Sequence, residues 1–534
     1  MWRSYFIPEV IGMIGASDKW RQAHTGTIVP ESFIEITYKV TDPGAQESAT
    51  LEHNGVAHYS KPEKVLENQA MSPPRYATLE HNLWTLDGRF DLLPDEVPYG
   101  DTGYVAEATE PEITIRLPEV RDQAIPGISI QWSSAYAEYA TRYRITAYKG
   151  TTPIVSQEFE NGDIQSTATM AIAGYDSIVI EVLDWIMPHR RARIENVFLG
   201  AMQSYSKEHL ISYTHSQSAD ILSAELPKNS VTFSLNNATG IWNPENPTGN
   251  VQYLADRQEI TIRYGYKLGN KVEWVNAGTF WISEWNTPSN GLEATFTARD
   301  MIEFMDDIYT GPRNGTLYDI AMRALAQANI PATFAGTQRY YVSEDLQNTR
   351  IDFREDTTNY PISVILQMCA NAGCCVMRQD RYGKLRIEPM GHNYTGYSIG
   401  KFTSYAHPEY SMSKPLCAVN VNDGMGLTIA AATGETVAID NSFIQSETAA
   451  KRVADWAASI LQYRKVLRGE FRADPRLDAL DIISVESKYG ANNAIVVTSI
   501  DYSYSGAFRG SYTGRIVPFT PETWYSGELI SGEI

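Results

Sequence analysis

The 534-residue chain holds only 4 cysteines, too few for a disulfide framework at this length. Cys369, Cys374 and Cys375 cluster, but only the distant Cys417 remains to complete a set, and structural zinc sites draw on two ligand pairs at matched spacing. No metal and no cofactor is therefore expected, and Cys369 reads as a small buried hydrophobe on a helix face. Cationic side chains are also scarce: 44 Lys and Arg stand against 64 Asp and Glu, a net charge of −20. That excludes a general phosphate-binding surface, because non-specific nucleic-acid affinity comes from cations that displace counterions. No apolar run approaches the ~18–20 residues that cross a bilayer, so stable membrane insertion is not expected. The opening Met1-Trp-Arg-Ser-Tyr5 lacks a secretory signal pattern, which makes synthesis in a cytoplasm the default. Glycine and proline, 37 and 26, fall far below collagen-like or low-complexity levels. The motifs His-Glu-x-x-His, Gly-x-Ser-x-Gly and Gly-x-x-x-x-Gly-Lys-Ser/Thr are missing, so zincin, hydrolase-elbow and phosphate-loop chemistry lose their sequence support. The chain reads as a non-enzyme. A pair of glycosidase carboxylates has no fixed spacing, so a cell-wall-degrading enzyme stands as a further alternative.

What the chain does have is strand-forming material. With 43% apolar and 11% aromatic residues it can fill several cores, since single cores rarely grow beyond ~250–300 residues. Phe33–Val40 places apolar residues at alternate positions, the period of a half-buried strand. From Tyr76 to Gly200, candidate strands Glu112–Leu117, Gly127–Trp132, Tyr143–Tyr148 and Ser177–Leu183 are cut by turn residues about every ten positions, the spacing of a β-sandwich. A second strand-rich block runs from Leu210 to Met301. The period then turns helical at Leu317, Ile320, Ala321, Ala324, Leu325 and Ala328, with Thr316 to cap the helix and Pro331 to stop it. Pro361–Ala372 forms another helix ended by Gly373, and the turn Asp380–Lys384 makes a hairpin. In the last block Ser446 caps a helix whose face is Ala449, Val453, Trp456, Ala457 and Ile460. The words Ser212-Tyr-Thr-His215 and Ser404-Tyr-Ala-His407 each open a strand-rich block, which hints at two barrels of common design.

Several phrases carry a resemblance. Ser223-Ala-Glu-Leu-Pro227, Val231-Thr-Phe-Ser-Leu-Asn-Asn237, Trp242-Asn-Pro-Glu-Asn-Pro247, Tyr264-Gly-Tyr266, Gly278-Thr-Phe280 and Ala298-Arg-Asp300 resemble, in that order, the first barrel of phage tail hub proteins. The Trp456 helix, Gly469-Glu-Phe471, Asp474-Pro-Arg-Leu477, Asp481 and Ser499-Ile-Asp-Tyr502 with Gly506, Gly510 and Gly514-Arg515 resemble the second barrel. Ile351–Pro389, with the hairpin Asp380-Arg-Tyr-Gly-Lys384, is similar to the intervening domain. Each phrase also has a plain local use, such as the turn chemistry of Trp242–Pro247 around an aromatic anchor. Tyr76–Gly200 departs from the family pattern, and its Ile125-Pro-Gly-Ile128 strand and Pro188–Ile194 close resemble galactose-binding-like jelly-roll modules.

The expected fold is therefore mainly β and multidomain: two tail-tube-like β-barrels, an inserted β-sandwich and a small α+β domain. The expected boundaries are an arm at 1–30, a first barrel from 31–71 and 205–310, an inserted carbohydrate-binding-module-like sandwich at 72–204, an α+β domain at 311–399, a second barrel with one helix at 400–519 and a tail at 520–534. The resemblance implies a structural virion protein at the hub or tip of a tail, assembled in the host bacterial cytoplasm as a homotrimer. Its implied partners are the tail tube, distal tail proteins, a tape-measure protein, and tail fibres or receptor-binding proteins. DNA would pass through during ejection without specific binding. Peptidoglycan-cutting domains, where family members carry them, lie beyond the second barrel, so that activity would belong to another chain or be missing. The alternative is a receptor- or carbohydrate-binding tail protein whose sandwich recognises host cell-wall glycan. Trp84, Trp132 and Trp185 are the glycan-contacting candidates, because sugar faces stack on aromatic rings, although strand-end tryptophans are more often core or rim residues. Arg190, Arg191 and Arg193 form a basic run that fits an anionic glycan or a solvated strand edge.

Overall fold

The computed structural model describes residues 16–25, 30–41, 43–57, 60, 62–66, 76–77, 84–85, 103–122, 124–133, 136–246, 258–269, 271–288, 291–330, 333–334, 337–352, 358–390, 394–422, 425–428, 434–490 and 492–517. The chain is mainly β and multidomain. Its largest sheet has thirteen strands. Seven come from the first part of the chain: β1 (Ser32–Thr41), β2 (Gly200–Tyr205), β3 (Leu210–Ser218), β4 (Lys228–Asn236), β5 (Glu259–Leu268), β6 (Lys271–Asn286) and β7 (Glu293–Arg299). Six come from the last part: β8 (Tyr394–Ile399), β9 (Glu409–Met412), β10 (Lys465–Phe471), β11 (Ile482–Glu486), β12 (Asn492–Tyr504) and β13 (Phe508–Ile516). Alternation fixes their inner faces. Ile34, Ile36 and Tyr38 of β1 are buried, as are Ile260, Ile262 and Tyr264 of β5, and a one-residue slip in register would turn each of these sets to solvent.

The two sets share one spatial order. In the first barrel the ladder runs β1-β5-β6-β7-β4-β3, and in the second it runs β8-β11-β12-β13-β10-β9. Ranked by chain position and with β2 set aside, both are first, fourth, fifth, sixth, third, second. The likeness reaches single residues. β6 carries a bulge between Ile282 and Glu284, and β12 carries one between Val497 and Ser499. The extra residue is Ser283 in one and Thr498 in the other. The Ser283 hydroxyl donates to the Thr297 carbonyl at 3.2 Å, and the Thr498 hydroxyl donates to the Thr513 carbonyl at 3.1 Å. Just before each bulge, Ile282 N–H donates to Gln258 O and Val497 N–H to Asp481 O, both at 2.9 Å. A bulge bends a strand and sharpens its twist, and each barrel carries one at this same place in its strand order. The outermost pairing differs: β1 runs antiparallel to β5, whereas β8 runs parallel to β11.

The insertion departs after β1 and returns at β2. Its five-stranded sheet places Thr50–His53, Glu112–Arg121, Tyr175–Trp185, Ala140–Lys149 and Thr152–Glu160 side by side. The opposing sheet is Gln165–Ile172, Ile125–Gln131 and Asn196–Phe198. Ile113, Ile115, Ile128, Ile130, Ile178 and Ile180 fill the space between them. Leu51 pairs with Ile115, and Ala45 and Val65 join the same core. Residues 43–57 and 62–66 thus pack with the sandwich, not with the first barrel where the sequence reading places them. The sequence reading places no strand at Thr50–His53, where Leu51 is the one apolar residue and leaves no alternation to read.

The α+β unit contains α2 (Leu317–Gln327) and α3 (Ile362–Ala372); α1 is the short N-terminal helix Asp18–Thr25. Thr316 and Asp319 close a reciprocal cap on α2, which satisfies two backbone donors that a helix start leaves open. Helix α4 (Glu447–Leu461) starts at Ser446, whose hydroxyl accepts from Ala449 N–H at 3.1 Å. Its face of Ala450, Val453, Ala457 and Ile460 packs into the cluster that α2 and α3 fill, together with strands Leu416–Val421 and Glu435–Ile439. The sequence reading assigned this helix to the second barrel. Periodicity defines an apolar face, but not the surface that covers it.

Candidate functional site: the junction between the barrels

The two barrels meet along β3 and β12, which pair antiparallel from Tyr213↔Tyr504 to Ser218↔Ser499. Ala219 N–H continues the ladder to Thr498 O at 3.0 Å. Behind this seam the apolar fillings merge into one cluster. The Tyr264 ring meets Phe508 edge-on at 4.8 Å.

A buried polar chain threads the seam. His215 on β3 touches the Tyr264 hydroxyl through Nδ1 at 2.8 Å and Asn229 Oδ1 through Nε2 at 2.8 Å. The Tyr213 and Tyr264 hydroxyls lie 2.7 Å apart. Burial, with help from the nearby Arg381 charge, pushes the His215 imidazole down to about 4, so the ring is neutral at neutral pH. Gln217 donates to Asp478 Oδ1 at 2.9 Å and accepts from Ala479 N–H at 2.9 Å. Asp478 in turn receives Arg381 Nε at 2.6 Å.

Arg381 comes from the α+β unit, at the tip of the hairpin formed by Val376–Gln379 and Leu385–Glu388. Its guanidinium, 2% exposed, also donates to the carbonyls of Pro475 and Leu477, and at 3.4 Å to that of Asn276. Tyr502 adds a hydroxyl bond to Leu477 O at 2.7 Å. The loop Asp474–Asp481 thus turns the Pro475 and Leu477 carbonyls toward one planar five-donor cation, which donates to both. Asp474 is fully buried. Against the upward push of burial, the His24 and Arg476 charges and the Trp20 indole N–H hold its carboxyl below the usual range. Trp20 and His24 belong to α1, and Trp20 meets Tyr266 edge-on at 4.8 Å. One seam therefore locks the first barrel, the second barrel, the α+β unit and the N-terminal helix.

The sequence phrases Asp380–Lys384 and Asp474–Leu477 meet here, although nothing in either announced the other. Arg381 is a residue that sequence reasoning did not single out; the only signal was a cation beside a Gly-containing tight turn. Asp300, also in a quoted phrase, is buried and accepts from Ile302 N–H at 3.2 Å, and burial pushes its carboxyl up to about 7. Trp242 is buried between Tyr38 and Phe296.

The sandwich candidates fare differently from one another. Trp132 is wholly buried, with its N–H donating to Ser166 Oγ at 2.8 Å and its ring edge-on to Tyr143 and Trp185. It offers no face to a sugar. Trp185 is half-buried and donates to Glu138 Oε2 at 3.2 Å. Arg190 and Arg193 flank the same carboxylate at 3.3 and 3.7 Å, and Arg193 lies 4.4 Å over the Tyr136 ring. Trp84 pairs with Ala77 through its backbone, and its side chain lies outside the described residues. Among the described residues no three His, Cys, Asp or Glu side chains gather as a metal site, and Cys369 and Cys375 are buried. No helix among them is long and apolar enough to cross a membrane.

No family model and no curated protein matches the chain. Solved structures do. The chain is similar to the 43 kDa tail protein of prophage MuSo2 from Shewanella oneidensis, at 16% identity and a TM-score of 0.41, over 59% of this chain and 95% of that one. It is similar to the tail protein from Neisseria meningitidis MC58, at 12% identity and a TM-score of 0.38, over 59% of this chain and 93% of that one. The family 32 carbohydrate-binding module of C. perfringens NanJ, solved in complex with galactose, is similar at 13% identity and a TM-score of 0.20, over 31% of this chain and 99% of that one. Identity at this level transfers none of those proteins' roles.

Proposed function

We propose that this chain is the hub or tip subunit of a phage tail, a structural virion protein that joins the tail tube to the adsorption apparatus and forms part of the channel for DNA ejection. The observation that carries this is the duplicated barrel: two sheets of one strand order, with a matching bulge in the fifth-ranked strand, joined edge to edge. A subunit built of two like units places six of them around an axis in three copies, which suits a sixfold tube on one side and threefold fibres on the other. A net charge of −20 per chain gives a passage that DNA crosses without adhering, because few cations face its phosphates. In this role the chain works with the tail tube, distal tail proteins and tape-measure protein in the virion and needs no catalytic group of its own. Sedimentation of the purified chain, and a low-resolution map of it on the tube end, test the reading. A trimer with six density lobes is expected, and a stable monomer under both conditions overturns it.

A second reading has one observation in its favour. The cluster of Trp185, Glu138, Arg190, Arg193 and Tyr136 combines a half-exposed ring with a buried carboxylate and cations, the mixture that orients a sugar's hydroxyls while the ring takes its apolar face. In this reading the insertion recognises host cell-wall glycan. Binding of the full chain to host walls, lost in Trp185→Ala with the barrels intact, is its test; equal binding by that variant removes it.

A further inference from the structure

The internal duplication gives a template for a contact that one chain cannot make with itself. Within the chain, the second-ranked strand of the first barrel, β3, pairs with the fifth-ranked strand of the second barrel, β12, beyond its bulge. The counterparts are β9, second-ranked in the second barrel, and β6, fifth-ranked in the first. Both are open among the described residues. β9 ends the thirteen-stranded ladder, and all four of its residues are exposed. β6 leaves β5 at Trp281 and then runs on to Asn286 paired only with β7. Glu284, Trp285 and Asn286 are exposed there.

The matched registers translate the template residue by residue. Leu467 pairs with Gly514 as Val231 pairs with Ala298, and the bulges set Gly514 against Ala298. Tyr410 pairs with Leu467 as His215 pairs with Val231, so Tyr410, Ser411 and Met412 stand where His215, Ser216 and Gln217 stand. The bulges likewise set Glu284, Trp285 and Asn286 against Ser499, Ile500 and Asp501. Since Gln217 faces Ile500 and Ser216 faces Asp501, Met412 falls opposite Trp285 and Ser411 opposite Asn286.

We infer that β9 of one copy pairs antiparallel with the Glu284–Asn286 end of β6 in a second copy, with Met412 against Trp285. Two independent features agree. Met412 and Trp285 are large apolar side chains that are 60% and 36% exposed, and this register brings them together in a sulfur–aromatic pair. The alternation of the β9–β10 ladder, in which Ser413 N–H donates to Arg464 O, turns the backbone groups of Tyr410 and Met412 to the open edge, where an antiparallel partner takes them up. Lys414, exposed on the same edge, occupies the position of Ala219, beside Glu284. The contact joins unlike surfaces head to tail. A head-to-tail contact forms a ring when its rotation closes, and the hub reading requires that closure. The inference rests on the ring-forming reading above and deepens it by assigning its interface.

The test uses the full chain carrying Ser411→Cys and Asn286→Cys, facing positions in the inferred register, with each single variant as control. Under mild oxidation the double variant alone is expected to give covalent multimers on non-reducing gels. Met412→Asp and Trp285→Asp, both at exposed positions, are each expected to weaken assembly by roughly tenfold while circular dichroism stays unchanged. A trimer that neither cross-links nor responds to either aspartate overturns this interface and leaves the hub reading standing. A chain that stays monomeric at every concentration and on the tube end overturns both.

Discussion

Arg381 Nε lies 2.6 Å from Asp478 Oδ1, a contact between residues 97 apart in sequence that ties the α+β hairpin to the loop of the second barrel. The hairpin cation takes the place of water for the Pro475 and Leu477 carbonyls of that loop. Removing it leaves Asp478 and the carbonyls of Pro475 and Leu477 buried without that donor. Arg381→Ala should lower unfolding free energy by about 3–5 kcal/mol, the usual cost of breaking a buried ion pair. Arg381→Lys should recover little, because an ammonium lacks the planar fork. Urea denaturation of both variants checks this, and near-complete recovery by lysine would contradict it.

Stability should fall on acidification through His215. The folded protein keeps the ring neutral down to about 4, while the unfolded chain protonates it near the ordinary 6.5. Between those values the unfolded state binds more protons, so stability drops as pH falls from 6.5 towards 4, by up to roughly 3 kcal/mol. Asp300 acts the other way. Its folded value of about 7 lies above the ordinary 3.8, so it contributes stability that is present at low pH and lost as pH rises through 7. His215→Gln should therefore flatten the acid slope, and Asp300→Asn should steepen it while raising stability above pH 7. Denaturation midpoints at pH 4.5, 6 and 7.5 separate the two.

In the insertion, Gly127 faces Thr169 on the neighbouring strand. A Cβ at this position would lie 2.1 Å from the Ala168 carbonyl oxygen, a backbone atom that cannot swing aside. Gly127→Ala should cost about 1–3 kcal/mol, the range for an overpacked core. Amide exchange should quicken across the sandwich and stay unchanged along β5 and β12.

Trp20 is fully buried against Tyr266, and its N–H reaches Asp474 at 3.4 Å. The eight-residue helix that carries it is too short to persist alone in water, so this side chain holds it in place. Trp20→Ala should cost about 3–5 kcal/mol and make the segment around Asp18–Thr25 the first site cut in limited proteolysis. Unchanged cleavage kinetics would show that other contacts hold the helix.

By itself the sequence determined local structure. Alternation at Ile34, Ile36 and Tyr38, the Thr316 and Ser446 caps and Gly373 after α3 fixed strands and helices, because such signals act over a few residues through backbone geometry and nearest neighbours. The Ser212–His215 and Ser404–His407 echo does not mark the duplication, because Tyr410, not His407, stands where His215 stands. Only the tertiary structure decided which surfaces meet: that Thr50–His53 extends the sandwich, that α4 joins the core that α2 and α3 fill, that Trp132 is sealed while Trp185 reaches the rim, and that Arg381 closes the barrel seam. Apolar faces and buried cations are satisfied by any partner of suitable shape and polarity. The choice among partners is a long-range matter of register and packing that no local pattern encodes.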